Sequence, residues 1–277
     1  MALAEAMTVK ISVIFTTYNS PAWLEKVLWG FKTQTDSSFE VVVADDGSGP
    51  ETEAVVKSAR LTGLEIQHVW QEDLGFNKCQ ILNKAIVAAS GEYLIFTDGD
   101  CIPRQDFIAN HRAALAPGRF LSGGYFKLSL AVSQAITQED VVQQRCFDPD
   151  WLVAGGMKQT LKWLKLSAPA QWRSWLNRLT PTKPTWNGHN ASCFKADAIA
   201  VNGFDQRLRY GGLDREFGER LVNAGIVPKQ IRYSAVTLHL DHPRSYESAE
   251  GWAFNHAIRK EVRSKGITET PEGIRQL

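Results

Sequence analysis

Two carboxylates flanking a glycine, Asp98-Gly99-Asp100, follow directly on the mostly apolar run at residues 93–97. Such a run reads as a strand, so the pair sits on a tight turn at its end. Hard divalent cations take oxygen ligands, and Mg²⁺ commonly binds one or two carboxylates plus substrate phosphates. The same triplet is also an ordinary Asp-Gly turn. Asp45 and Asp46, with Gly47 and Ser48 behind them, close the run at residues 40–44 in the same way. A carboxylate there accepts hydrogen bonds from a nucleobase imino group or a ribose hydroxyl, or it caps the helix that Pro50 opens. A cation between the two acidic edges would let a polyphosphate sit where carboxylates alone repel it. His239 and His242 bracket Asp241 after a second apolar run; imidazole ligates Mn²⁺ or Zn²⁺, although such a pair is also a common surface feature. In the stretch 210–216 a double glycine opens into a helix, and Asp214 there is either a general base held at a cleft or an N-cap.

These residues need elements to position them. Short β-branched runs at residues 10–15, 40–44, 65–70 and 92–97 alternate with helix-length segments. Pro21 suits a first helical turn, and Leu24, Val27, Leu28 and Phe31 share one face of the helix it starts; residues 50–61 and 78–89 supply two more. Strand, helix, strand with connections of this size implies parallel pairing and an α/β sandwich. Ligands of such sheets bind at the carboxyl ends of the strands, where Thr16, Thr17, Tyr18, Asp45, Asp46, Asp98 and Asp100 are expected to converge. A helix is expected at 214–224, one strand at 230–240 and a polar helix at 248–264. Neither a repeat nor a linker is evident, which points to one continuous domain.

The 277 residues carry 31 Lys plus Arg against 30 Asp plus Glu, with 44% apolar residues. A core is affordable at this length, and the balanced charge gives no sign of a nucleic-acid partner. Charge is instead local: residues 151–196 contain no acid, seven cations and five of the nine tryptophans. Cys79, Cys101, Cys146 and Cys193 form no CxxC pair, so neither a zinc cluster nor a disulfide framework is expected. The first ten residues hold Glu5 and lack a cationic, apolar leader, and no run approaches ~20 apolar residues. The expected location is the cytoplasm, with peripheral contact at the inner face of the cell membrane left open. The first strand-to-helix turn lacks GxGxxG, which argues against a dinucleotide-binding dehydrogenase.

Taken in order, residues 12–19, 45–48, 75–85, 91–103, 186–195, 203–205 and 210–216 resemble the family 2 glycosyltransferases. Residues 186–216 are similar to the C-terminal module of galactosyltransferases and chondroitin-type polymerases. The resemblance implies a GT-A fold, an α/β architecture with a mixed, largely parallel central sheet flanked by helices. It divides the chain into an N-terminal tail (1–8), a nucleotide-sugar-binding half (9–130), a basic Trp-rich insertion or lid (131–185) and an acceptor-binding, catalytic half (186–277). It assigns Thr16, Tyr18, Asp45, Asn77, Lys78, Asn83 and Asp98 to the donor, and Asp98, Asp100 and His242 to a Mn²⁺ or Mg²⁺ ion, with His239 in reserve. Asp214 matches the catalytic base of a Glu-Asp motif whose glutamate is here Leu213. Trp186, Asn187, His189, Asn190 and Glu216 fall on the acceptor side, Trp186 being equally suited to the core. The implied reaction is inverting transfer from a UDP-linked sugar to a hydroxyl of a glycan or glycolipid, in lipopolysaccharide or capsule synthesis. The alternatives are a sugar nucleotidyltransferase and a non-catalytic glycan-binding relative. The stretch 151–179 reads either as a surface for anionic lipid or anionic glycan, or as a solvated helix anchored by its tryptophans and interrupted by Pro169.

Overall fold

The computed structural model describes residues 8–242 and 248–277. Ten strands form: β1 (Ile11–Thr17), β2 (Phe39–Asp45), β3 (Ile66–Trp70), β4 (Tyr93–Asp98), β5 (Cys101–Pro103), β6 (Arg119–Ser122), β7 (Gly124–Lys127), β8 (Ala191–Phe194), β9 (Val227–Gln230) and β10 (Val236–His239). Seven of them make one sheet in the order β3-β2-β1-β4-β8-β6-β9. The first four run parallel, and β8 is antiparallel to both its neighbours. Thr16 stands opposite Ala44 of β2 and Asp98 of β4, so the carboxyl ends of three strands lie in register.

Helices α1 (Pro21–Lys32), α2 (Pro50–Leu61), α3 (Lys78–Ala88) and α4 (Phe107–Ala114) connect the first strands. Proline at the first turn of α1 and α2 costs no backbone hydrogen bond there. Alternation along β1 sends Val13 and Phe15 to one face, against α1 and α4, and Ile14 to the other, against α3. Each such fully buried side chain contributes roughly 1.5–3 kcal/mol. Beyond β7 come four short helices, α5 (Leu130–Ala135), α6 (Gln138–Val142), α7 (Pro149–Ala154) and α8 (Leu164–Ser167), then α9 (Ala170–Leu179). Val132, Val141, Phe147, Leu152, Trp163 and Leu166 from this stretch join the same core as β1. Helices α10 (Lys195–Ala200), α11 (Leu213–Asn223) and α12 (Ala249–Lys265) complete the chain.

The single strand expected at 230–240 is instead two. β9 pairs with β6, while β10 leaves the large sheet to form a second one, in the order β5-β10-β7. Between them, Ser234 and Ala235 donate backbone N–H bonds to the Ile231 carbonyl, a turn that Arg104 fixes through the Ser234 carbonyl at 2.6 Å. The break matters for the site, because β10 pairs His239 with Cys101, the residue after Asp100. Among the described residues no helix is long and apolar enough to cross a membrane, and all four cysteines are buried and free.

Candidate active site

The carboxyl ends of β1, β2 and β4 lie side by side and gather one polar cluster. Lys78, at the start of α3, donates from Nζ to Asp98 Oδ1 at 2.7 Å, and Thr16 Oγ1 reaches the same oxygen at 3.3 Å. Burial alone would lift the Asp98 carboxyl; the Lys78 charge overrides it and holds Asp98 down at about 2. Burial likewise opposes charge on Lys78, but Asp98, Asp214 and Asp100 together hold its ammonium well above the ordinary lysine range. One cation therefore faces three carboxylates drawn from two separate parts of the chain. Tyr18, just beyond β1, is 49% exposed, with its hydroxyl donated to Asp73 at 2.8 Å.

Asp100 points to the histidines. His242 Nε2 lies 2.8 Å and His239 Nε2 3.9 Å from Asp100 Oδ2. His239 Nδ1 donates to the Leu240 carbonyl at 2.8 Å, which turns the Nε2 lone pair towards Asp100. Asp100, Cys101 and His239 place ligand atoms within 4.8 Å of one another. Burial pushes the Cys101 thiol well up, leaving a poor ligand at neutral pH. One carboxylate oxygen and two imidazole nitrogens, with Asp98 beside them, suit a divalent ion of the Mn²⁺ type. His189, pressed against the Tyr125 ring with centroids 4.1 Å apart, is pushed down by burial to about 4 and is neutral.

Asp214 sits in the first turn of α11, behind Gly211 and Gly212, whose φ values of 100° and 80° only glycine adopts freely. Its Oδ1 is buried and has no hydrogen-bond partner. Burial lifts the carboxyl to about 6, Lys78 pulling it down and Asp98 pushing it up. A carboxylate with a free oxygen and a pKa near 6 accepts a proton from a bound hydroxyl at neutral pH.

Several residues assigned from sequence have other work. Asn83 is fully buried and bonds both the carbonyl and the N–H of Phe204, pinning α3 to residues 203–205, so it is not a donor contact. Trp186 is 1% exposed among Phe96, Phe120 and Phe217, a core residue and not an acceptor platform. Asn190 is buried, bonded to His111 and to the Gly124 and Ala235 carbonyls. Glu216 is buried in a two-pronged ion pair with Arg220 at 2.6 and 2.8 Å, so it does not face an acceptor. Asp45 is 1% exposed and takes bonds from the Ser48 N–H and His68, both at 2.8 Å, so it braces the β2 turn. Asn77 donates its backbone N–H to Asp46 and folds its amide onto the Gly75 carbonyl. Asn187 is half-buried, donating to Ser122 Oγ at 3.3 Å.

Other residues had no assigned role in the sequence reading. Phe76, just before Lys78, meets the Tyr210 ring at 5.9 Å, and Tyr210 meets Trp252 at 6.4 Å. These aromatics flank the turn leading to Asp214, and Phe76 and Trp252 remain 37% and 38% exposed. Phe76 had a signal, its place beside Lys78. Trp252 had none, because α12 is brought there only by the fold.

Residues 12–122 match the family described as Glycosyl transferase family 2. Over 257 residues the chain is 29% identical to validoxylamine A glucosyltransferase of Streptomyces hygroscopicus subsp. jinggangensis, covering 86% of this chain and 57% of that protein. Among solved structures it is similar to the mannosyltransferase PcManGT from Pyrobaculum calidifontis in complex with GDP-Man and Mn²⁺, at a TM-score of 0.58 and 20% identity over 87% of this chain and 60% of that one. It is equally similar to S. aureus TarS 1–349 in complex with UDP-GlcNAc, at 0.58 and 19% over 86% and 60%. The chain thus spans less than two thirds of each of these three. The signature of the family 2 glycosyltransferases thus lies in residues 12–122, and most of the chain shares the GT-A fold of these glycosyltransferase structures.

Proposed function

We propose that the protein is an inverting glycosyltransferase that moves a sugar from a nucleoside diphosphate sugar, UDP-linked, to a hydroxyl of a glycan or glycolipid acceptor of the lipopolysaccharide or capsule class. The observation that carries the reading is Asp214: a carboxyl lifted to about 6, with an unpartnered buried oxygen, facing the same cation as Asp98. The acceptor oxygen attacks the anomeric carbon, its bond to the diphosphate oxygen breaks, and the hydroxyl proton passes to Asp214. One displacement inverts the anomeric configuration. Lys78 meets the charge that develops on the departing diphosphate, and being fixed by Asp98 it needs no reorganisation to do so. Asp98, Asp100, His242 and His239 would hold Mn²⁺ or Mg²⁺, which supplies Lewis-acid stabilisation of the leaving group. Tyr18 offers a ring to the nucleobase, and the rim of Phe76, Tyr210 and Trp252 offers aromatic faces to the apolar side of an acceptor sugar. The UDP choice is supported by the TarS complex and opposed by the GDP-Man complex, so it is the part to test first.

A panel of nucleotide sugars with Mn²⁺, scored for thermal stabilisation and slow donor hydrolysis, tests the reading, since binding to the folded state raises apparent stability. One nucleotide series is expected to stabilise and to be hydrolysed, with the released sugar inverted by NMR. Retention of configuration, or pyrophosphate release from a nucleoside triphosphate and a sugar phosphate, refutes it.

A further inference from the structure

Helix α9 meets the body with its polar side. Arg173 Nη1 donates to Asp106 at 2.7 Å and its Nε to the Ala168 carbonyl at 3.0 Å. Asn177 donates to Ser234 Oγ and accepts from the Tyr233 N–H, both at 2.9 Å. No residue of this helix is buried. Spacings of three and four place Trp172, Trp175 and Leu179 on one stripe, and they are 58%, 57% and 58% exposed. Leu161, in the turn that precedes α8, is 98% exposed, and Leu164, which opens α8, 43%. A surface helix ordinarily buries its apolar stripe and solvates its polar one. Here the arrangement is inverted, and contiguous apolar surface of this kind marks a contact with something else.

Charge identifies the partner. Lys158, Lys162, Arg178 and Lys183 are exposed, within a stretch from 151 to 196 that contains no acid. A symmetric contact between two copies would set these cations against each other, since the same patch meets itself. Tryptophan rings among cations instead match a lipid–water boundary, where the ring sits at headgroup depth and Lys or Arg meets anionic lipid. We propose that α9, with residues 158–163 and the start of α8, rests on the surface of an anionic lipid bilayer, with Trp172, Trp175 and Leu179 at the headgroup–acyl boundary. The same segment reaches the site: Lys165 Nζ donates to the Tyr125 carbonyl at 2.9 Å, and the Tyr125 ring packs on His189. The docking itself stands independently of the sugar-transfer reading.

The test is co-sedimentation of the full chain with vesicles of phosphatidylcholine, with and without phosphatidylglycerol, at low and high salt. The expected result is partitioning onto the phosphatidylglycerol vesicles that weakens with salt. It should fall at least about tenfold in a Trp172→Ala, Trp175→Ala double variant, with loss of fluorescence quenching by brominated lipid. Both side chains are exposed, so the variant should keep the wild-type melting temperature and soluble-donor hydrolysis. Absence of vesicle binding, equal binding by the double variant, or binding to soluble dextran sulfate in place of vesicles overturns the proposal. So does a lipid-free dimer that the variant abolishes.

Discussion

Replacing Asp214 by asparagine should slow the enzyme and stabilise the protein at once. Burial lifts the carboxyl from its ordinary 3.8 to about 6. The folded chain therefore holds this proton more tightly than the unfolded one, and stability falls as pH rises from about 4 to 6. The shift of about two units corresponds to about 3 kcal/mol, an upper bound for the charge penalty present at pH 8. Asparagine has nearly the same shape and no charge, so the Asp214→Asn variant escapes that penalty. For a chain of this size about 3 kcal/mol is a rise of at most about 5 °C in melting temperature. Loss of a general base lowers turnover by about 10² to 10⁴. Metal-free thermal melts at pH 8 and pH 4, beside steady-state rates at pH 8, measure both effects. The stability gain should be present at pH 8 and vanish at pH 4. A variant that is no more stable at pH 8 and turns over like the wild type would refute both the burial argument and the assignment of the base.

Adding a Cβ at Gly188 would bring it 2.4 Å from Asp214 Oδ1, so Gly188→Ala should displace the base and lower kcat by about tenfold to a hundredfold, with the donor KM unchanged in initial-rate assays. Lys78 lowers the Asp214 carboxyl, and Lys78→Met should therefore move the acidic limb of the kcat/KM profile above pH 6 while raising the donor KM; an unmoved limb would separate the two residues. His242→Ala should weaken Mn²⁺ binding measured by calorimetry, and chelation followed by Mn²⁺ should restore donor hydrolysis in the wild type but only at raised Mn²⁺ in the variant. Arg220 is fully buried on Glu216 and on the Val201 and Gly203 carbonyls. Arg220→Leu strands the Glu216 charge and should lose about 3–5 kcal/mol in denaturant unfolding.

The large sheet was legible because its parallel half is written locally. Residues 50–61 coincide with α2, and β1 to β4 fall within two residues of the apolar runs that announce them. Proline at helix starts and apolar residues at strand period need no knowledge of distant partners. The small sheet was not legible, since β5, β7 and β10 are three or four residues each and become strands only by meeting across more than a hundred positions. The same holds at residues 231–235. Ile231, Tyr233 and Ala235 alternate there with Arg232 and Ser234 at strand period, and the turn is imposed by a bond from Arg104 to the Ser234 carbonyl and one from the Tyr233 N–H to Asn177.

The site divides along a related line. Asp98 and Asp100 after β4 and Asp214 in the first turn of α11 stood out in the sequence as carboxylates in glycine turns, and the fold gathers all three around Lys78. Polar residues with protein partners far away were not readable: the bond from Asn83 to Phe204 spans 121 residues, and that from Asn190 to His111 spans 79. From the sequence, an amide that binds a sugar and an amide that binds a distant carbonyl are the same residue. What separates them is burial, because a buried amide must satisfy its own donors and acceptor inside the protein and has none left for a ligand. Asp214 breaks that rule with a buried, unpartnered oxygen, as Asn187 and Asp197 also do; what sets Asp214 apart is that its carboxyl lies in the field of Lys78 and Asp98.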